Sequence, residues 1–461
     1  MAATLQLDNW IGQQLRISAR NLAHAISATS LCRERTEFGQ RIVPARGSVL
    51  ASPVIANWNP EPDYFFHWTR DAAAVMRAVV DLIAMAGDTD ERHRWQGCFH
   101  DMVEFNLALS QAATLKTAPT DYRSKTQSNC RRFLRRRTEL DRLHGDKLLA
   151  EPRFNPDGSV DILRWSRPQL DGPALRALAC LSYLAEGGTA TPSLKALLQS
   201  DLDFTLRQAG RRSIGPWEEP NEFAHHYFVA LAQLGALVHG RTFAGDHTAQ
   251  WDLAERRLRR TLDKHWMAKP RVLAAVRSSN AGPESPASAA DAEQRVDSAI
   301  LLAIVDADLP GTSHNVCDQR AVATLDILAQ AFTNAFPLNH ALPAGHAPAL
   351  GRSLADRYFG GNAWYVTTLA AAAFCFRRAT GNPADVADWL ARGDAWMATV
   401  QWMTPADGAM AEQVDRETKA PRSAYFARLP ASEILLRILF AKLSAPRCFS
   451  LAFWPSAQTR R

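Results

Sequence analysis

Glu218 and Glu219 follow Trp217 in the run Gly215-Pro216-Trp217-Glu218-Glu219-Pro220-Asn221, directly ahead of a long apolar stretch. A carboxyl group pressed against a large apolar ring loses hydration, which disfavours its charged form and equips it to donate a proton near neutrality. That is the environment of a general acid. Two acids can equally serve a helix start, where they complement unpaired amides and the helix dipole. A motif this short leaves both readings open.

Four more polar and aromatic clusters share the same setting. Asp63-Tyr64-Phe65-Phe66-His67-Trp68-Thr69-Arg70-Asp71 and Trp165-Ser166-Arg167-Pro168-Gln169-Leu170-Asp171 each lead into an apolar segment, as do residues 352–364 and Ala411-Glu412-Gln413. Brought together, the indoles Trp68, Trp165, Trp217 and Trp364, the phenol Tyr64, the guanidiniums Arg70 and Arg352 and the carboxylates Asp71, Glu218, Glu219 and Glu412 suit a sugar. Aromatic faces stack on the C–H side of a pyranose while charged groups exchange hydrogen bonds with its hydroxyls. Taken singly, Arg70 and Asp71 also read as a structural ion pair, and Asp171 before Gly172-Pro173 reads as a helix cap. The 13 histidines, His225-His226 included, show no metal-ligand spacing, so no metal and no cofactor are expected.

The elements that must position these residues are helical. Apolar periodicity predicts an all-α chain of twelve helices beginning near Trp10, Trp68, Trp95, Gly172, Ser193, Asn221, Ala249, Asp297, Arg320, Gly361, Pro383 and Pro430. Odd-numbered ones are amphipathic, with Trp251, Ala254, Leu258 and Leu262 on one side of the seventh and Val322, Leu325, Ala329 and Phe332 on one side of the ninth. Even-numbered ones are apolar nearly all round, as in Phe228-Val229-Ala230-Leu231-Ala232, and must be covered on both sides. An inner ring wrapped by an outer ring satisfies both kinds, which predicts an (α/α)6 toroid over residues 1–461 as one domain; an open superhelical stack is the alternative. In such a toroid the loops entering the inner helices lie at one end, so the five clusters converge on one funnel. Two inserts interrupt the ring: a polar connection at about 117–150 and a segment at about 270–295, rich in small residues and proline and expected to be a mobile surface loop.

Composition narrows the class. With 47% hydrophobic and 22% charged residues the chain can bury a large core, which excludes global disorder. The net charge of +6 owes much to the arginines of residues 131–137, read as a solvated face with no nucleic-acid signature. Seven scattered cysteines without a C-x-x-C pair fit a reducing compartment. No membrane-spanning run and no leader pattern is found, so a cytoplasmic protein with a small oligosaccharide ligand and no membrane partner is expected.

These blocks, with Glu151-Pro152-Arg153-Phe154-Asn155 and Gly361-Asn362-Ala363-Trp364-Tyr365, resemble the glucoamylases of glycoside hydrolase family 15 from about residue 7 to residue 443. The resemblance implies an (α/α)6 catalytic domain and an inverting, exo-acting hydrolase that releases β-D-glucose from α-1,4-linked oligosaccharides. It implies Glu218 as general acid, Glu412 as general base and Glu219 as a substrate ligand. Tyr64, Trp68, Arg70, Asp71, Trp165, Arg167, Arg352 and Trp364 match positions lining the first sugar subsites. Three stretches depart from the pattern: Gly215-Pro216 replaces Asp-Leu before the Trp-Glu-Glu, Ser353-Leu354-Ala355 replaces a Tyr-Pro-Glu-like run, and Leu429-Pro430-Ala431-Ser432 stands where a tryptophan is usual. No amino-terminal β-sandwich and no starch-binding module is recognised, which favours short soluble substrates over granules. Trehalose or α-1,6 isomalto-oligosaccharides as substrates, and a non-catalytic carbohydrate-sensing relative, are the alternatives.

Overall fold

Segments with apolar residues on every face fold as helices with no solvent side, and segments with one apolar stripe fold around them. A computed structural model describes residues 2–53, 63–219, 222–277, 296–311, 313–381 and 385–422. Among the described residues the long helices are α1 (Ala2–Ala25), α2 (Thr69–Met85), α3 (Thr89–Ser110), α4 (Gly172–Ala185), α5 (Pro192–Gln208), α6 (Tyr227–His239), α7 (Thr248–Asp263), α8 (Ala299–Ala307), α9 (Gln319–Ala335), α10 (Tyr365–Gly381) and α11 (Val386–Met403). The twelfth expected helix, near Pro430, lies outside the described residues.

Packing follows the alternation in character. Helices α2, α4, α6, α8 and α10 touch one another in that order, and α3, α5, α7 and α11 each pack on an inner neighbour. In α6 every residue from Tyr227 to Leu237 is buried, whereas α7 buries only Trp251, Ala254, Leu258 and Leu262. The indole of Trp251 ties the two layers, donating to the Leu237 carbonyl at 2.8 Å. Gly235 sets how closely α6 and α8 approach, since a Cβ there would lie 3.0 Å from the Ala307 backbone. The stripe of α9 is rotated from the expected one: Ala321, Leu325, Leu328 and Phe332 are buried, while Val322 and Ala329 are only partly covered.

Several boundaries move for local reasons. Helix α3 starts at Thr89 rather than near Trp95, because the Asp88 side chain caps it by accepting from the Glu91 amide at 2.7 Å. Helix α6 starts at Tyr227 rather than near Asn221, because Ala224 bridges to Ser213 and His225–His226 pairs with Val276–Arg277 as strands. The insert at 117–150 is more than a polar connection. Its short helical turns bury Tyr122, Leu134, Leu140, Leu143 and Leu148 in a satellite core with Phe66, Trp68 and Phe154. Of the insert at 270–295, Val272–Leu273 and Val276–Arg277 are paired strands, and residues 278–295 lie outside the described residues.

Two-residue strands recur where inner helices begin. His67–Trp68 pairs with Arg153–Phe154 ahead of α2, and Ala363–Trp364 pairs with Gln413–Val414 ahead of α10. Each fixes the loop that enters the ring to a segment distant in sequence.

Candidate active site

Those pinned loops surround a cavity of about 420 Å³ at the amino-terminal end of the inner helices, lined by Tyr64, Trp68, Arg70, Asp71, Trp165, Trp217, Glu218, Glu219, Arg352, Trp364 and Glu412 among others. One predicted site residue is not there. Arg167 faces away, its guanidinium bonded to Glu151 at 2.7 Å and Asp161 at 3.1 Å, so its observed role is to brace the loop that carries Trp165.

Glu218 is the most constrained side chain at the cavity. Both of its oxygens accept hydrogen bonds: from Trp68 Nε1 at 3.1 and 3.3 Å, Trp165 Nε1 at 2.5 Å, Arg70 Nη2 at 3.0 Å and Gln169 Nε2 at 2.8 Å. Four donors from two separate segments leave it one rotamer, so the apolar setting expected for this carboxyl is replaced by a polar cradle that includes the Arg70 guanidinium, while the Trp217 indole bonds Asp297. Its backbone is held as firmly, with φ of +62° in the left-handed region and its carbonyl accepting from Ser166 Oγ at 2.6 Å. A non-glycine residue there costs about 1–3 kcal/mol and persists only where the surroundings enforce it. Gly215 supplies part of that enforcement, because a Cβ at this position would overlap the His226 ring. The Gly215-Pro216 departure thus has a local cause: the turn before Trp217 packs against the ring of His226, the strand residue that immediately precedes α6. Gly215→Ala should cost about 1–3 kcal/mol of stability by overpacking, read as a lower denaturant midpoint; an unchanged midpoint would show that the ring moves aside freely.

Arg70 does not pair with Asp71. It bonds Asp171 at 2.6 Å and Glu218 at 3.0 Å, joining the loops that enter α2, α4 and α6. Asp171 stands at the amino end of α4 as expected but makes no capping bond with its side chain, which serves Arg70 instead. Asp71 is half-buried in the first turn of α2, at the cavity wall. Burial pushes its carboxyl up to about 6, against the pull of the Arg70 charge, with Glu218 adding to the rise.

Behind this wall Arg153 is fully buried, paired with Asp161 at 2.8 Å and set 3.7 Å from the Trp165 ring centre, 4.1 Å from that of Phe66 and 4.9 Å from that of Trp68. Guanidinium over aromatic faces is attractive, more so when desolvated. The two indoles that hold Glu218 are therefore held in turn by one cation.

The opposite wall is built around Arg352, which bonds Asp356 and lies 5.1 Å from the rings of Tyr358 and Trp364 and 5.6 Å from Trp217. It also reaches Glu219, half exposed at the cavity rim, at 3.4 Å. Trp217 Nε1 donates to both oxygens of Asp297 at 2.9 and 2.8 Å. Tyr64 and Tyr358 share a hydroxyl contact of 2.7 Å, and burial, with the Glu412 charge next, pushes both phenols upward. Glu412 itself precedes the strand Gln413–Val414, whose pairing with Ala363–Trp364 sets it beside Trp364. Among the described residues no group of three or more His, Cys, Asp or Glu is placed to hold a metal ion.

Sequence reasoning missed several members. Gln169, Ser166 and Asp171 lie inside the run from Trp165 to Asp171, but nothing in their types marks them as partners of Glu218 and Arg70. Tyr358 lies in the cluster of residues 352–364 and was detectable as its one phenol ahead of Trp364. Asp297 and Asp356 carry no motif.

The chain is 25% identical over 431 residues to Glucoamylase-1 of Schizophyllum commune, covering 82% of this chain and 66% of that protein, and 25% identical over 437 residues to Glucoamylase P of Amorphotheca resinae, covering 83% and 63%. It thus spans just under two thirds of the length of these relatives. The solved structure of the Hormoconis resinae glucoamylase superposes with a TM-score of 0.72 at 22% identity, covering 94% of this chain and 74% of that one. The glucoamylase of Saccharomycopsis fibuligera superposes with a TM-score of 0.70 at 20% identity, covering 95% and 96%. These likenesses show a shared fold, the (α/α)6 toroid. Matched from residue 36 to residue 389 by the sequence model of that family, the chain belongs to the glycosyl hydrolases of family 15.

Proposed function

We propose that the protein is an inverting, exo-acting α-glucoside hydrolase that releases β-D-glucose from the non-reducing ends of α-1,4-linked gluco-oligosaccharides. The observation that carries the reading is the single cavity bordered by both Glu218 and Glu412 among indoles, phenols and guanidiniums. In this reaction Glu218 gives its proton to the glycosidic oxygen as the C1–O bond breaks. Water adds to C1 from the opposite face and loses its proton to Glu412. Atoms balance as one water consumed per bond cleaved, and both carboxyls are restored once a proton returns from Glu412 to Glu218 through solvent. The two carboxyl groups must leave room for that water, a separation of about 6.5–9.5 Å. Glu219, Arg352, Asp71 and Arg70 bind sugar hydroxyls, and Trp217 and Trp364 cover the ring.

Incubation with maltose, maltoheptaose, trehalose and isomaltose, following glucose and its anomer by NMR, tests this. Initial release of β-glucose from maltose and maltoheptaose is expected. Initial α-glucose would replace inversion by a covalent intermediate, preference for trehalose or isomaltose would move the linkage, and no release from any of them would leave a sugar-binding protein. A cytoplasmic location is supported by six described cysteines that carry free thiols.

Arg153 acts here as a positioning residue. Arg153→Met keeps much of its volume but removes the charge over Trp165 and Trp68, so kcat on maltose should fall roughly 10–100-fold with a smaller change in KM, the pattern of a displaced acid. A proportionate rise in KM with kcat intact would assign Arg153 to ground-state binding instead.

A further inference from the structure

Beside the cavity lies a larger open groove of about 1250 Å³, and Trp165 lines both. Its walls come from the satellite insert, the Trp165 loop, the turn after α5 and the outer face of α7. The lining is lopsided in charge. Its three carboxylates are all engaged: Glu151 by Arg135 and Arg167, Asp146 by Arg207 and Gln208, and Glu139 by Arg136 at 4.0 Å. Arg142, Lys147, Arg164, Arg211, Arg212 and Arg257 remain, exposed and with no carboxylate within 4 Å among the described residues.

Six cations without a carboxylate in contact among the described residues, of which Arg211 alone adds to the pull on Asp146, would on a convex face spread into solvent. Around a concavity their fields add, which destabilises the empty protein and concentrates anions. The field is felt locally: burial first, then Arg212 and Arg257, lower the affinity of His225 for a proton. Guanidiniums match phosphate oxygens in bidentate fashion. Arg212 also lies 4.7 Å from the ring of Phe223, which is 41% exposed and shares the groove with Trp165, so apolar faces for a sugar stand among the cations.

We infer that this groove holds the phosphate monoesters of a phosphorylated α-glucan whose non-reducing end occupies the neighbouring cavity, an inference that rests on the hydrolase reading above. The shared Trp165 wall favours it over a nucleic acid, which would use the same cations but has no glucose end to place in the cavity.

The test compares kcat/KM for maltoheptaose carrying C6 phosphate on its reducing-side residues with that for neutral maltoheptaose. It uses wild-type protein and Arg142→Gln/Arg211→Gln/Arg257→Gln, at low salt and at about 0.5 M NaCl, where the Debye length shrinks to a few ångströms. All three side chains are exposed, so the variant should fold. Expected is a preference of about 10-fold or more for the phosphorylated chain, lost in the variant and at high salt, with cleavage of the neutral chain unchanged. Equal kcat/KM for the two chains in wild type overturns the inference while leaving the hydrolase intact. Titration calorimetry separates the remaining cases. If neither chain is cleaved but the phosphorylated one alone binds, the groove stands as a phosphoglucan site and the hydrolase reading falls. Tighter binding of a single-stranded oligonucleotide, or of inorganic phosphate with no preference between the two glucans, overturns it.

Discussion

Glu412→Gln is expected to lower kcat on maltose by about 10²–10⁴-fold with the fold intact, the contribution typical of one positioned acid or base. Glutamine keeps the shape of the side chain and its place beside Trp364, but it has no basic oxygen to take a proton from water. The strand pairing that holds this position uses the backbone of Gln413 and Val414, so the substitution leaves it untouched. Folding should therefore be preserved, as judged by circular dichroism and an unchanged unfolding midpoint. Turnover within a few-fold of wild type would remove Glu412 from the base role, whatever else the cavity does. If activity falls and KM rises in proportion, Glu412 is a binding group rather than a base.

The inner and outer rings were legible in the sequence because burial on one side or on all sides leaves a periodic signature that survives the loss of exact boundaries. Helix α7 shows this well: the four residues expected on its apolar stripe are the four that are buried. Convergence of the loops at one mouth was legible for the same reason, since alternation of hairpins fixes which ends meet. Two kinds of feature were not. Two-residue strands such as His67–Trp68 are too short to show any alternation, yet they set the loops in place. Partners chosen by three-dimensional neighbourhood also leave no trace. Asp171 looked like a cap and is a ligand of Arg70, and Arg167 looked like a site residue and ties down Glu151 and Asp161. An arginine or aspartate at a loop end suits either role, and only the facing loop decides.

A strong pH effect on stability is expected from Asp297, which is 6% exposed at the start of α8. Burial pushes its carboxyl up to about 7 from an ordinary 3.8, and the Ala299 amide, Trp217 and Arg352 only partly oppose this. An unfolded aspartate has released its proton well before the native one does. Between about pH 4 and pH 7 the native state thus holds a proton that the unfolded state lacks, so stability falls as pH rises through that window and the loss is complete above it. The difference corresponds to roughly 4 kcal/mol. Asp71, pushed up to about 6, acts in the same direction, while buried His67 and His265, pushed down to about 3, remove stability as the pH falls. The wild-type profile alone mixes these signs, but the difference between Asp297→Asn and wild type isolates one group. At pH 4.5 the variant should be the less stable of the two, because asparagine replaces a neutral acid already bonded to Trp217 and the Ala299 amide. By pH 8 the gap should have moved in the variant's favour by about 3–4 kcal/mol in urea unfolding, since only the wild type then buries a charge. A gap that stays constant across that range would mean that Asp297 ionises normally and that Trp217 is held by a carboxylate at every working pH.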